Sequence, residues 1–148
     1  MPTDAEPKII FLVEDNRADI RLIQEALKST AAPCDVVVAR DGMEAMAYLR
    51  QDGAFGAAGQ PDLILLDLNL PKKDGREVLA EIKADPALKH IPIIVLTTSR
   101  NEEDIFKSYD LHVNCYISKS RNLAQLFKIV RGIEAFWLET ATLPSSAP

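Results

Sequence analysis

The chain has 148 residues, 47% hydrophobic and 26% charged, the composition of a single soluble globular domain with room for a sizeable core. Its formal net charge of -5 argues against nucleic acid as the main partner, since binding to a phosphate backbone relies on a basic patch. No apolar stretch approaches the roughly 20 residues needed to cross a bilayer, and the opening MPTDAEPK lacks the basic and apolar regions of a secretory signal, so a cytoplasmic location is expected.

In chain order, residues 1–7 are a short extension and KIIFLV (8–13) is an apolar run that predicts a strand. NRADIRLIQEALKST (16–30) follows with Ile20, Ile23 and Leu27 at helical spacing and Asn16 placed as N-cap. Pro33 breaks the chain before a second strand, CDVVVAR (34–40). A helix is expected over 41–53, opening at Asp41 and closing near Gly53. The small-residue stretch QDGAFGAAGQ (51–60) reads as a surface loop before the third strand, 62–67. A third helix spans 74–85, with Val78, Leu79 and Ile82 on one face. IPIIVLTT (91–98), a short helix over 101–110, VNCYIS (113–118) and a long helix over 120–139 complete the pattern. The last residues, 140–148, have the Pro/Ser composition of a flexible tail.

Five strands alternating with five helices imply right-handed crossovers and an open parallel sheet, doubly wound with helices on both faces. Such sheets bind ligands outside the carboxyl ends of their strands. The residues expected there are Glu14 and Asp15, Arg40 and Asp41, Asp67, Thr97 and Thr98, and Lys119, after strands one to five in turn. Asp67 is the most demanding, because PDLILLDLNLPKKDG (61–75) sets it at the end of an apolar run buried on both faces. An ionised carboxylate buried there costs several kcal/mol unless it is paired. Carboxylates this close also raise each other's pKa. Mg²⁺, usually held by one or two carboxylates with waters and phosphate oxygens, would relieve the conflict, and Lys119 would neutralise part of the remaining charge. Singly, each residue has a plainer reading: acidic charge at a helix N-terminus, a solvated lysine, a turn-forming threonine. Their meeting on one edge of the sheet gives them weight.

These residues carry a resemblance. LVEDN (12–16), PDLILLDLNLPKKDG (61–75), IPIIVLTT (91–98) and YISK (116–119) make the chain, over residues 8–139, similar to a two-component response-regulator receiver domain. KKDGREVLAEIK and NCYISKSRNLAQLFKIV resemble the small regulators paired with bacterial and cyanobacterial phytochrome kinases. The resemblance implies a flavodoxin-like sheet of order 2-1-3-4-5, and Asp67 as acceptor of a phosphoryl group from a sensor histidine kinase. It further implies Mg²⁺ held by Asp15, Asp67 and the Asn69 backbone carbonyl, with Glu14 acting through a water. Lys119 would contact the phosphoryl oxygens, Thr97 would be the switch hydroxyl, and Tyr116 the aromatic that turns inward with it. Phosphoryl transfer needs such positioning and charge neutralisation more than covalent chemistry from the protein.

Several residues depart from the family pattern. Glu14 stands where aspartate is more usual, and one extra methylene still reaches a metal-bound water. Ser120 replaces a common proline, so a trans bond is expected after Lys119. His112 occupies a position where glycine is frequent. Cys34 and Cys115 read as small buried apolar residues. With order 2-1-3-4-5 they fall on opposite edge strands, four spacings of about 4.8 Å apart, too far for the roughly 7 Å Cα separation of a disulfide.

Alternative readings fare worse. A haloacid-dehalogenase-like phosphohydrolase needs a second carboxylate two residues after its nucleophile, where Asn69 cannot protonate a leaving group. A flavodoxin-like cofactor binder needs a phosphate loop after strand one, and VEDNRAD would repel phosphate without a metal. A degenerate receiver used only for docking is disfavoured because Asp15, Asp67, Thr97 and Lys119 are all present. The residues after Lys119 suffice for little more than one helix, so output is expected through protein contacts, with no effector domain and no membrane or nucleic-acid partner. Ile105, Phe106, Tyr109, Tyr116, Phe127, Phe136 and Trp137 make the fourth helix, fifth strand and fifth helix apolar enough to predict a homodimer through that face.

Overall fold

A computed structural model describes residues 7–28, 33–51 and 59–144. Strands β1 (Lys8–Val13), β2 (Cys34–Ala39), β3 (Leu63–Leu66), β4 (Ile93–Thr97) and β5 (Cys115–Ser118) alternate with helices α1 (Arg17–Lys28), α2 (Gly42–Leu49), α3 (Gly75–Ala84), α4 (Glu102–Asp110) and α5 (Leu123–Glu134). All strand pairs are parallel, in the order β2-β1-β3-β4-β5. This is the expected flavodoxin-like, doubly wound sheet.

Side chains alternate across the sheet and sort into two cores. Phe11, Val13, Ile64, Leu66 and Val95 meet Met46 of α2 and Val78, Leu79 and Ile82 of α3. Ile10, Leu12, Leu63, Leu65 and Ile94 meet Ile20, Ile23 and Leu27 of α1 and Leu126 and Val130 of α5. Both faces are covered, so the central strands read as unbroken apolar runs, and Leu63–Leu66 is 0% exposed throughout. Each such side chain stabilises the fold by about 1.5–3 kcal/mol relative to exposure. No described helix is long and apolar enough to cross a membrane.

Helix starts follow the capping residues. Asn16, Asp41, Asp74, Asn101 and Asn122 each accept a backbone N–H with the side chain, satisfying donors that the first turn leaves free. The Asn122 cap starts the last helix at Leu123 rather than at 120, because its Oδ1 takes the Gln125 N–H at 3.1 Å. Helix α2 ends at Leu49, short of the expected Gly53. The Arg50 and Gln51 amides close the turn on Met46 and Tyr48, and Gln51 turns left-handed with φ 57°. Gly53 and most of the expected 51–60 loop lie outside the described residues, as do 1–6 and 145–148. His112 also adopts a left-handed φ, 67°, which accounts for glycine being the easier residue there. No cis peptide occurs among the described residues, so Lys119–Ser120 is trans as expected. Cys34 and Cys115 lie on the two edge strands with no disulfide between them, half-buried rather than buried as expected.

A π-helical turn, Ala135–Thr140, extends α5, and Leu143 beyond it is 9% exposed. At the junction Glu134 is 2% exposed and its Oε2 meets no hydrogen-bond partner among the described residues. Burial, then the neighbouring Glu139, pushes its carboxyl up to about 7. The folded state therefore keeps a proton that the unfolded chain loses near 4.5, and stability falls as pH rises from there towards about 7. Thermal melts of Glu134→Gln, which mimics the protonated side chain, are expected to show a shallower fall over this window; an unchanged pH slope would count against it.

Candidate functional site

The parallel register carries the candidate residues to one edge. Val13 lies opposite both Ala39 and Leu66, so Glu14 and Asp67 each begin just past a strand, their amides bonded to Ala39 O and Val13 O at 3.0 Å. On the other side the Lys119 amide reaches Thr97 O at 2.6 Å. Glu14, Asp67, Thr97 and Lys119 are 2%, 6%, 0% and 4% exposed, whereas Asp15 is exposed. Four polar side chains in so dry a position require mutual partners.

Lys119 supplies them. Its ammonium donates to Glu14 Oε2 at 2.6 Å, lies 2.8 Å from Asp19 Oδ2, and is 3.4 Å from Asp67 Oδ2. Three donors thus face three carboxylates. Burial works against the charge on Lys119, but the bonds to Asp19 and Glu14 outweigh it and hold the pKa above the ordinary lysine value. Burial, reinforced by Asp67, pushes Glu14 up to about 7 despite the lysine. One ammonium is therefore too little charge for the carboxylates around it.

The remaining contacts order Asp67. Its Oδ1 accepts the Thr97 hydroxyl at 2.7 Å and the Asn69 amide at 3.2 Å. The second Glu14 oxygen accepts the Asp15 and Asn16 amides, both at 3.1 Å, so protein donors, Lys119 included, take three of the roughly four lone-pair sites of this carboxylate. Glu14, Asp15 and Asp67 still offer oxygens within 4.8 Å of one another. This donor set, all carboxylate and short of positive charge, fits a hard divalent cation. The half-buried Tyr116 hydroxyl donates to Ser99 O at 2.9 Å.

Sequence reading and structure differ in detail. Arg40 and Thr98 are exposed, and Asp41 caps α2 and pairs with Lys72 at 3.5 Å instead of joining the cluster. Asp19 was given no role, yet it is one of the three carboxylates on Lys119. The signal was its place as the acidic residue in the first turn of α1, three residues after the Asn16 cap and close behind the end of β1. Gly75 was likewise read only as part of a helix. It opens α3 directly against the Asp67 backbone, with its amide on Leu68 O at 2.9 Å, and a Cβ there would collide with Asp67 O and with Leu68 Cα and O.

Comparison with known proteins agrees with this geometry. A family model described as the response regulator receiver domain matches residues 10–131. Over 140 residues the chain is 62% identical to response regulator Rcp1 of Synechocystis sp., covering 95% of each protein. Among solved structures, the phosphorylated cyanobacterial phytochrome response regulator RcpA superposes with a TM-score of 0.92 at 74% identity, over 95% of this chain and 100% of that one. The Mn²⁺-bound form of Rcp1 gives a TM-score of 0.92 at 62% identity, over 94% of this chain and 100% of that one.

The close approach at Gly75 makes a structural prediction. Gly75→Ala should push α3 off the Asp67 backbone and destabilise the fold by roughly 1–3 kcal/mol, measured by denaturant unfolding. An unfolding midpoint equal to that of the unaltered chain would show that the contact relaxes freely.

Proposed function

The chain belongs to the response-regulator receiver family, and from that premise we propose that it takes a phosphoryl group onto Asp67 from a sensor histidine kinase of the phytochrome type. The family implies a sensor kinase as partner; the phytochrome link rests on the likeness to Rcp1 and RcpA. The observation that carries the residue assignment is the meeting of Lys119, Thr97 and three carboxylates at one buried point.

In the proposed reaction a carboxylate oxygen of Asp67 attacks the phosphorus as the bond from phosphorus to the kinase imidazole nitrogen breaks, and the electron pair leaves with that nitrogen. Lys119 turns an N–H towards the transferred oxygens, and Thr97 follows from its present bond to Asp67. Asp15, Asp67 and the Asn69 carbonyl would hold Mg²⁺, with Glu14 acting through a water, since its own oxygens already serve Lys119 and two amides. When bound, the cation supplies the positive charge that Lys119 alone does not provide. Water later attacks the acyl phosphate in the same pocket, so the protein is a phospho-acceptor that promotes its own reset rather than an enzyme with a separate substrate.

The receiver unit is taken as residues 8–139 and its proposed compartment is the cytoplasm, where thiols such as Cys34 and Cys115 stay reduced. For output we propose a homodimer through α4, β5 and α5. Phe106, Tyr109, Phe127 and Phe136 support it, being 73%, 49%, 36% and 55% exposed, a concentration of aromatic surface unusual for a monomer. Ile105, Tyr116 and Trp137 contribute less, because they are half-buried.

Two experiments test these readings. With acetyl phosphate and Mg²⁺ the protein should gain one phosphoryl group by intact mass, while Asp67→Asn gains none and chelation abolishes labelling. Labelling that persists in Asp67→Asn would refute the acceptor assignment. Sedimentation should show a dimer at micromolar concentration, weakened by Phe106→Ala; monomer alone, phosphorylated or not, would sink the interface.

A further inference from the structure

Helix α4 is attached to the body in an unusual way. A surface helix normally docks through an apolar stripe, yet of the 9 residues of α4 only Ser108 is buried. Its position falls largely to polar contacts, and these converge on one arginine of α3. The Arg76 guanidinium grips Asp104 in the first turn of α4 with both prongs, Nε to Oδ1 and Nη2 to Oδ2, each at 2.7 Å. Such a fork fixes direction as well as distance, which a lysine does not. The pair is only partly exposed, 41% and 15%, and Arg76 holds the Asp104 carboxyl down to about 2.

Each end of the fork leads to a segment flanking Asp67. Asp104 Oδ2 also accepts the Ser99 hydroxyl at 2.8 Å. The Ser99 amide lies 3.4 Å from Thr97 Oγ1, and the Ser99 carbonyl takes the Tyr116 hydroxyl at 2.9 Å. A hydroxyl that accepts from Ser99 has its own single proton free for Asp67, which is where Thr97 sends it. From its other side Arg76 reaches the carbonyl of Leu68 at 3.4 Å, the side chain of Asn69 at 3.5 Å and Asp74 at 3.0 Å. The two loops beside Asp67 are therefore joined through one side chain that does not touch Asp67 itself.

We propose that Arg76 is a positioning residue that, by gripping Asp104, locks the segment from Thr97 to the start of α4 against the loop after Asp67 and so aims the Thr97 hydroxyl at the phospho-acceptor. The proposal deepens the reading of Asp67 as acceptor and rests on it for its kinetic consequence. Its structural consequence, a coupled α3–α4 clamp, stands in the unphosphorylated protein.

The test compares Arg76→Ala, Arg76→Lys and Asp104→Asn with the unaltered chain. In the unphosphorylated protein, amide NMR should show the resonances of Thr97, Ser99 and Tyr116 shifted and the amides of α4 exchanging faster in Arg76→Ala, with β1 and β2 unmoved. The rate of phosphorylation by acetyl phosphate at saturating Mg²⁺ should fall in Arg76→Ala and Asp104→Asn, by up to the roughly hundredfold that a 1 Å misplacement costs. Arg76→Lys should recover part of it. Mg²⁺ affinity should fall much less than the rate, because Arg76 touches none of Glu14, Asp15 and Asp67 and meets Asn69 only at its side chain, at 3.5 Å, and that split separates positioning from general loss of structure. Unchanged amides in Arg76→Ala, or a rate that falls only in step with Mg²⁺ affinity, would overturn the clamp. If the unaltered protein takes no phosphoryl group, the functional reading fails, and the amide shifts alone then decide the clamp. Should Arg76→Ala not fold, Arg76→Lys and Asp104→Asn carry both measurements.

Discussion

The structure turns on one buried ammonium facing more than one carboxylate. Lys119 sits 2.6 Å from Glu14, 2.8 Å from Asp19 and 3.4 Å from Asp67, drawing residues that follow β1 and β3, and one from α1, to the end of β5. Burial would make each of these charges costly in isolation. Together they are compensated in part, and the shortfall of positive charge gives the pocket its appetite for a cation and for a group that arrives with one. The sheet makes this possible. A slip of one residue in β1, β3, β4 or β5 would turn its terminal side chain to the opposite face and dismantle the cluster.

Much of this was legible in the sequence because it follows from short-range periodicity. The run Leu63–Leu66 had to be buried on both faces, so its next residue had to stand at a sheet edge, and the same logic placed Glu14, Thr97 and Lys119. Helix starts were legible where a single Asn or Asp preceded the apolar period, as at Asn16 and Asn101. The true start of α5 was hidden because Ser120, which takes the Asn122 amide in a turn of its own, precedes the Asn122 cap by two residues. The end of α2 was hidden for a different reason: the left-handed residue that stops it is Gln51, whose side chain gives no hint of that conformation.

What stayed illegible depends on how helices sit against the sheet. Asp19 enters the pocket only because α1 starts at an angle that aims its first turn at Lys119. Arg76 and Asp104 are 28 residues apart on different helices, and no local pattern joins them. Gly75 is required by the distance between two backbones, a quantity that composition does not encode. These four positions tie the buried cluster to its surroundings, and each tie depends on tertiary placement that no local pattern encodes.

Helix α4 contributes only Ser108 to the interior and shows Phe106 and Tyr109 to solvent. Its outward residues are consequently almost free of packing constraints, since exchanging them disturbs neither apolar core. On the proposed reading of α4 as part of the output face, partner choice can then drift or be re-engineered along this helix while the fold remains intact, provided the polar anchors at Asp104 and Tyr109 are kept. In a lineage of duplicated regulators, such a helix is where new wiring can be acquired at little cost to the machine it reports on.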